Sequence, residues 1–280
     1  MNSINKIGIG TVQFGANYGI SNSEGKTASE EVLKILDYAQ TNSIQYIDTA
    51  FGYGDAEHVI GQYDLSKFKI ISKYIPKQEL TIEEQLQKSF DRLKINKLYG
   101  YLAHRALDLV ENDCRNWNIL KKLKQQNLVS KIGASFNTVE EAEVILSYNI
   151  DLDIIQIPYN YFDHRFESFA IKLKEKGCEV HTRSTFLQGL FFCNPNQLPN
   201  FFDEIKPTLR RIQRNDFLYG QLLQYVIKKE FIDVVVIGVN NLSQLKDNIE
   251  SLTKELEELQ LIDGTINHQI ITPSEWPKRK

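Results

Sequence analysis

Short apolar runs alternate with longer segments of helical periodicity along this chain, and eight such runs occur. The runs are rich in Ile and Val and apolar on both faces, which is typical of strands in a parallel sheet that helices cover on each side. They lie at 6–11, 44–50, 68–74, 98–104, 129–135, 152–160, 178–184 and 233–239.

Helix candidates, with apolar residues on one face, lie between most of these runs. They are 27–40, 81–93, 115–127, 138–149, 164–177, 214–230 and 242–259. Thr81 with Glu84 three residues later predicts a capping box, and Thr27 or Ser29 is expected to cap the first helix. Strand followed by helix, repeated with right-handed crossovers, predicts an α/β fold: a (β/α)8 TIM barrel formed by one domain over residues 1–280.

The alternative architecture is an open, doubly wound sheet. That fold usually carries a G-x-G-x-x-G turn after its first strand. Gly8, Gly10 and Gly15 do not have this spacing, so the barrel is favoured. The longest irregular stretch is 191–209, and its phenylalanines predict a packed loop near the site, after the seventh strand.

Composition argues against several classes of function. The net charge is −3 and the 33 basic residues are scattered, so a nucleic-acid partner is not expected. No stretch approaches about 18 apolar residues and the N terminus lacks an apolar signal region, which predicts a cytoplasmic protein without a membrane partner. The three cysteines lack metal-ligand spacing, so we expect reduced thiols and no metal. The basic PKRK at 277–280 is expected to be a solvated tail.

Four polar residues stand at the ends of three successive predicted strands. Asp48 ends the second strand, and Tyr53 follows it in the loop. Lys73 ends the third strand and His104 ends the fourth. The ends of the strands meet at one mouth of a barrel, so we expect these four side chains to converge. Each of them would be read as a structural residue if taken alone, but the four together indicate a site.

This set of side chains suits the reduction of a carbonyl group. Reduction needs a proton on the oxygen, and an ammonium group beside a phenol lowers the pKa of the phenol. Lys73 is the natural ammonium, and Asp48 would keep it charged and oriented. Tyr53 is then the general acid, while His104 would orient the carbonyl by a hydrogen bond. The sequence therefore predicts a reductase.

The segments GIGTVQFG, IDTAFGYGDAEHVIG, ISKY, LYGYLAH, IGAS and IQIPYN occur in this order. Together with the spacing of the four polar residues, they resemble the aldo-keto reductase superfamily, from Ile7 to about Asn248. The resemblance implies a (β/α)8 barrel that binds a nicotinamide cofactor without a Rossmann domain, NADPH being the usual donor. It also implies a small-molecule carbonyl substrate and a monomer or small homo-oligomer.

The resemblance also assigns residues to the cofactor. Ser135, Gln156 and Asn160 would hold the nicotinamide carboxamide, Ser184 the pyrophosphate, and Asp247 with Asn248 the adenine. The full set is Gly10, Thr11, Asp48, Ser135, Gln156, Asn160, Arg183, Ser184, Gly238, Gln244, Asp247 and Asn248.

Three positions depart from the family pattern. Phe136 replaces an Asn beside the carboxamide-binding Ser. Arg183 stands where many members stack a Tyr on the nicotinamide ring, although a guanidinium plane can stack on a ring too. Gly238 and Gln244 replace basic residues that often grip a 2′-phosphate. The third departure leaves NADH, or use of both cofactors, open beside NADPH.

Two other functions stay open. One is a catalytically weak, nicotinamide-binding auxiliary or regulatory protein, and the other is a lyase or isomerase that uses Lys73 as a Schiff-base amine. The opening GTVQFGANYGI resembles a bacterial branch of the family that we associate with sugar and surface-polysaccharide pathways, which suggests a keto-sugar or another polar carbonyl. The pocket wall is expected to include Phe14, Phe51, Tyr101 and Phe192, and the residues expected to meet an anionic substrate are Arg105 and Arg183.

Overall fold

A computed structural model describes residues 3–76, 79–262 and 264–277, so most of the basic PKRK segment lies outside the described residues. Within them, eight parallel strands close into a barrel in chain order, with the last strand pairing with the first. The strands are β1 Ile7–Gly10, β2 Tyr46–Asp48, β3 Lys69–Tyr74, β4 Leu98–Ala103, β5 Val129–Ser135, β6 Ile154–Pro158, β7 Glu179–Arg183 and β8 Val234–Gly238. Each lies within a predicted run, and the predicted (β/α)8 fold is confirmed.

Helices surround the barrel and form part of its loops. They are α1 Val12–Gly15, α2 Ser29–Thr41, α3 Ala56–Ile60, α4 Ile82–Leu93, α5 Glu111–Gln125, α6 Val139–Ser147, α7 Glu167–Glu175, α8 Lys206–Ile212, α9 Leu218–Ile227, α10 Leu242–Ser251 and α11 His268–Ile271. Short 3₁₀ segments occur at Ser3–Lys6, Ala106–Leu109, Leu187–Phe192, Asn200–Ile205 and Pro273–Glu275.

Local sequence determines the N-terminal cap of one helix but not of another. Thr81 forms the predicted capping box: its hydroxyl accepts from the Glu84 backbone N–H, and the Glu84 carboxylate accepts from the Thr81 N–H. The predicted cap of α2 is wrong, because Ala28 occupies that position without a side-chain bond. Thr27 instead donates to the backbone carbonyl of Asn240 at 3.1 Å, which ties the start of α2 to the loop after β8.

Tertiary contacts also end α10 earlier than its sequence pattern predicts. The helix stops at Ser251 rather than at 259. Two side-chain amides of α9 hold the following backbone: Gln224 donates to the carbonyls of Ser251 and Lys254, and Gln221 donates to that of Glu257. These bonds take the place of helical hydrogen bonds.

The segment 191–209 is more regular than the loop that was expected. It contains the end of one 3₁₀ turn, a second at Asn200–Ile205 and the start of α8. Its aromatic side chains pack with the C-terminal segment, as Phe202 does against Trp276 with ring centroids 5.4 Å apart. The predicted packing is therefore present, whereas the irregular backbone is confined to residues 193–199.

A polar cluster fills the barrel at the N-terminal end of its strands. Glu179 accepts from Tyr99 at 2.7 Å and from Lys131 at 2.6 Å, and its other oxygen lies 3.4 Å from the buried His181 ring. Burial opposes the charge of Glu179, but bonds from His181, Lys131 and Tyr99 outweigh it and lower its pKa to about 2. His181 is thus a hydrogen-bonded core residue.

Close approach of β5 to β6 sets the position of the strands that carry the site. A Cβ on Gly133 would lie 1.8 Å from the carbonyl oxygen of Ile154, so a larger residue requires the backbone of β6 to move. Gly100, on the neighbouring β4, faces the same Ile154, but a Cβ there would meet side-chain atoms only: the flexible Cδ1 of Ile154 at 2.9 Å and Cγ1 and Cγ2 of Ile71 at 3.3 and 3.4 Å.

These two glycines therefore give a matched pair of substitutions. Gly133→Ala is expected to lower the free energy of unfolding by about 3 kcal/mol, because the backbone of β6 must shift. Gly100→Ala is expected to lower it by about 1 kcal/mol or less, because the Ile154 side chain can rotate away. Urea unfolding measures both, and equal losses in the two variants would contradict the strand contact described.

Candidate active site

A buried ion pair lies at the C-terminal ends of β2 and β3. The Lys73 ammonium donates to Asp48 Oδ2 at 2.7 Å and to the backbone carbonyl of Thr49 at 2.9 Å, and its side chain is fully buried. Burial alone would lower the pKa of Lys73, but the charge of Asp48, followed by Tyr53, outweighs it and holds that pKa above its ordinary value. Lys73 is therefore a charged ammonium.

The other oxygen of Asp48 is held from the far side of the barrel. Gln156, on β6, donates from its side-chain amide to Asp48 Oδ1 at 2.7 Å. Gln156 and Ser135 pair in register across β6 and β5, and both are buried. The carboxylate of Asp48 is thus fixed from two directions.

Tyr53 and His104 meet above this ion pair. The Lys73 ammonium lies 5.2 Å from the centre of the Tyr53 ring. The ring of His104 lies edge-on to that of Tyr53, with centroids 5.7 Å apart and planes at 79°. The structure thus brings the four predicted catalytic side chains together, three of them from strand ends or the residue just after one, and Tyr53 from a loop.

The imidazole of His104 is held neutral. Burial, together with the positive charges of Lys73 and Arg183, lowers its pKa to about 4. A neutral imidazole carries one N–H donor and one acceptor nitrogen. His104 can therefore donate a hydrogen bond to a neighbouring oxygen without competing as an acid at neutral pH.

A cavity of about 340 Å³ opens beside Tyr53 and runs toward the start of α10. Residues from β1, β7, β8 and α10 line it. The predicted residues in its wall are Gly10, Thr11, Asp48, Tyr53, Arg183, Ser184, Gly238, Gln244, Asp247 and Asn248. The predicted residues outside this wall are Lys73, His104, Ser135, Gln156 and Asn160. Of these, Lys73 and Gln156 donate hydrogen bonds to Asp48, which itself lines the cavity.

The expectation for the hydrophobic wall is only partly met. Phe192 lines the cavity. Phe14 and Tyr101 are fully buried in the main core instead, and the Tyr101 hydroxyl donates to the Ile82 carbonyl at 3.3 Å. Phe51 packs under the guanidinium of Arg92, 4.5 Å from its ring centre.

One contact between two segments of the cavity wall was not predicted from the sequence. The side-chain amide of Gln188 donates to the Tyr18 hydroxyl at 2.9 Å, and the backbone carbonyl of Gln188 accepts from the Ile20 N–H at 2.8 Å. Tyr18 and Gln188 both line the cavity. They are separated by 170 positions, and neither segment has a motif that signals the contact.

The cavity walls and their surroundings fit a nicotinamide dinucleotide. Within the described residues, several buried polar atoms have no hydrogen-bond partner, among them Gln156 Oε1 beside the ion pair, Asn160 Nδ2 just after β6, and Gln13 Oε1 and Asn240 Oδ1 on the cavity wall. Buried polar groups are normally paired, so these atoms indicate a polar ligand. A carboxamide carries both a donor and an acceptor, as this set requires.

The sequence model of the aldo/keto reductase family matches residues 6–266. The chain belongs to the aldo/keto reductase family. Among curated proteins, the uncharacterized oxidoreductase YqkF of Bacillus subtilis (strain 168) is 23% identical over 281 aligned positions, which cover 89% of this chain and 87% of that protein.

Solved structures of similar fold agree with the barrel. The aldo-keto reductase AKR11C1 from Bacillus halodurans, in its holo form, superposes with a TM-score of 0.70 at 20% identity, over 96% of this chain and 91% of that one. The PA4992 protein of Pseudomonas aeruginosa gives 0.67 at 20% identity, over 88% and 89%. At these identities the similarity shows the fold alone.

Two further features of the described residues concern metal ions and membranes. No cluster of His, Cys, Asp or Glu in them has the geometry to hold a metal ion. None of their helices combines the length and apolar character that a membrane span needs.

The low pKa of His104 makes stability depend on pH. A free imidazole takes up a proton near pH 6.5, whereas folded His104 stays neutral down to about 4, so unfolding becomes easier as the pH falls below 6.5. Between about pH 7.5 and about pH 5.5, the wild type is expected to lose about 1 kcal/mol more stability than His104→Gln.

Urea unfolding at both pH values measures this difference. His58→Gln, at an exposed position on α3, serves as the control and is expected to keep the wild-type loss. The same loss in His104→Gln as in the wild type would show that His104 is not held neutral by the fold.

Proposed function

We propose that this protein is an NAD(P)H-dependent reductase that converts an aldehyde or a ketone to an alcohol. The observation that carries the proposal is the buried Lys73–Asp48 ion pair beneath the ring of Tyr53, at the edge of the cavity. Membership of the aldo/keto reductase family supports the class of reaction.

Each of the four side chains has a role in this proposal. A reduced nicotinamide dinucleotide, when bound, supplies a hydride to the carbonyl carbon. Tyr53 donates the proton to the carbonyl oxygen, and the Lys73 ammonium stabilises the phenolate that results. Asp48 holds Lys73 charged, while the neutral imidazole of His104 donates a hydrogen bond to the oxygen and orients it.

The protonation of Lys73 argues against the Schiff-base alternative. An amine must be neutral to attack a carbonyl carbon. Asp48 holds the pKa of Lys73 above its ordinary value, and the ammonium is fully buried. The remaining alternative is a weakly active auxiliary protein, and turnover measurements distinguish it from a reductase.

Removal of the phenolic hydroxyl tests the assigned general acid. Tyr53→Phe is expected to lower kcat for carbonyl reduction by about 10²–10⁴-fold, the usual contribution of a general acid, while dinucleotide affinity changes little. Tyr63→Phe removes the same group outside the cavity wall, where it contacts Gln40, and is expected to retain wild-type rates.

Steady-state rates on a carbonyl panel that includes keto-sugars, with dinucleotide binding measured by fluorescence, give both quantities. Full activity in Tyr53→Phe would reject the mechanism. Tight dinucleotide binding by the wild type without turnover on any carbonyl would favour the auxiliary role.

The adenine end of the cavity supports use of NADH as well as the expected NADPH. The wall there contains Tyr219, Gln244 and Asp247, and no Lys or Arg from the described residues. The Gln244 side chain is already engaged, since its oxygen accepts from the Asn240 N–H at 2.8 Å. A 2′-phosphate therefore lacks a cation in this wall, and Asp247 adds a negative charge.

Cofactor preference provides a second test. We expect NADH and NADPH to support turnover with kcat/KM values within about tenfold of each other, because the wall offers the 2′-phosphate no cation and the charge of Asp247 is exposed to solvent, which screens it. Gln244→Arg would supply a cation and is expected to shift that ratio toward NADPH by about tenfold. A wild-type preference for NADPH well beyond tenfold would show that a cation outside the described wall binds the phosphate.

A further inference from the structure

Arg183 is a cation in the cavity wall whose hydrogen bonds all go to neutral groups. Its guanidinium donates to the Phe136 carbonyl at 2.9 Å, to Asn137 Oδ1 at 2.7 Å and to the Ser184 hydroxyl at 3.4 Å. All three acceptors are neutral. No carboxylate in the described part of the chain forms an ion pair with it, although Asp163, which is paired with Arg165, interacts with it electrostatically.

The neighbouring charges are already balanced in pairs. Lys73 is matched by Asp48 at 2.7 Å, and the buried Asp163 is matched by Arg165 at 3.1 Å. Arg105, exposed in the loop after β4, adds further positive charge. The end of the cavity that holds Tyr53 therefore carries a net positive charge, and the low pKa of His104 reflects it, since after burial Lys73 and Arg183 are its largest causes.

This charge falls where hydride transfer must occur. In the proposed reaction the carbonyl carbon gains a hydride and the adjacent oxygen gains a proton from Tyr53, so the ring that gives the hydride lies close to Tyr53. Arg183 lines the same cavity as Tyr53. The nicotinamide ring is neutral when reduced and carries one positive charge after it has lost the hydride, so Arg183 interacts differently with the two forms.

Resting on the proposed function, we propose that Arg183 discriminates between the oxidation states of the cofactor: its charge weakens binding of the oxidised form relative to the reduced form. At an effective dielectric constant of about 20, two unit charges about 6 Å apart repel enough to change a binding constant about a hundredfold. Partial exposure of Arg183 to solvent reduces this effect, and we expect about tenfold. The site then favours reduction of the carbonyl and releases the oxidised cofactor readily.

Calorimetric titration tests this without any turnover. The quantity is the ratio of the dissociation constants of NAD+ and NADH, and likewise of NADP+ and NADPH. Attraction of Arg183 to the phosphates of the cofactor cancels in this ratio, because both forms carry the same phosphates. The wild type is expected to bind the oxidised form at least about tenfold more weakly, and Arg183→Gln is expected to lower the ratio about tenfold.

Two further variants separate charge from structure. Arg183→Lys retains the charge but not the three hydrogen bonds of the guanidinium, and it should keep most of the wild-type ratio. Arg210→Gln removes a positive charge from an exposed site outside the cavity wall and should leave the ratio unchanged.

The outcomes that overturn the inference differ from those that overturn the reductase assignment. An unchanged ratio in Arg183→Gln, or an equal fall in Arg183→Lys, would show that the charge does not discriminate. Equal affinity of the wild type for the two forms would end the inference without any variant. Failure of the wild type to bind either form would reject the proposed function instead.

Discussion

The buried ion pair of Lys73 with Asp48 is the interaction on which the rest of the site depends. Removal of two charges from water costs several kcal/mol for each ion, and only good geometry with further hydrogen bonds offsets that cost. Here Thr49 and Gln156 supply those bonds, each within 3 Å. Loss of one partner would leave an uncompensated buried charge, which typically costs about 3–5 kcal/mol.

The ion pair in turn requires a closed barrel. Gln156 on β6 and Asp48 on β2 are 108 positions apart, and they meet because opposite strands of a small barrel face each other across its interior. The contact of Gly133 with Ile154 brings β5 close to β6 and so fixes the strand that carries Gln156. The packing of β5 against β6 therefore also sets the geometry of the site.

How much the sequence could predict follows from how local each signal was. The strands, the Thr81 cap and the convergence of the four polar residues rest on periodicity, on short motifs and on the rule that strand ends share one mouth. The early end of α10 and the bond between Tyr18 and Gln188 rest on distant side chains, so no local pattern signals them. The prediction that Phe14 and Tyr101 line the pocket was wrong for a similar reason, because an aromatic residue near a site can face either the core or the cavity.

The protonation states of the site divide the work among its side chains. Asp48 holds Lys73 charged, and burial with nearby cations holds His104 neutral. Neither group is then suited to give a proton to an oxygen and recover it at neutral pH, whereas a hydroxyl beside an ammonium is. This agrees with the proposed mechanism, in which Tyr53 is the proton donor among the four side chains. In the two proposals Lys73 stabilises the Tyr53 phenolate and Arg183 opposes a second cation, so neighbouring positive charges at one end of the cavity would serve the proton transfer and the preference for a neutral cofactor ring.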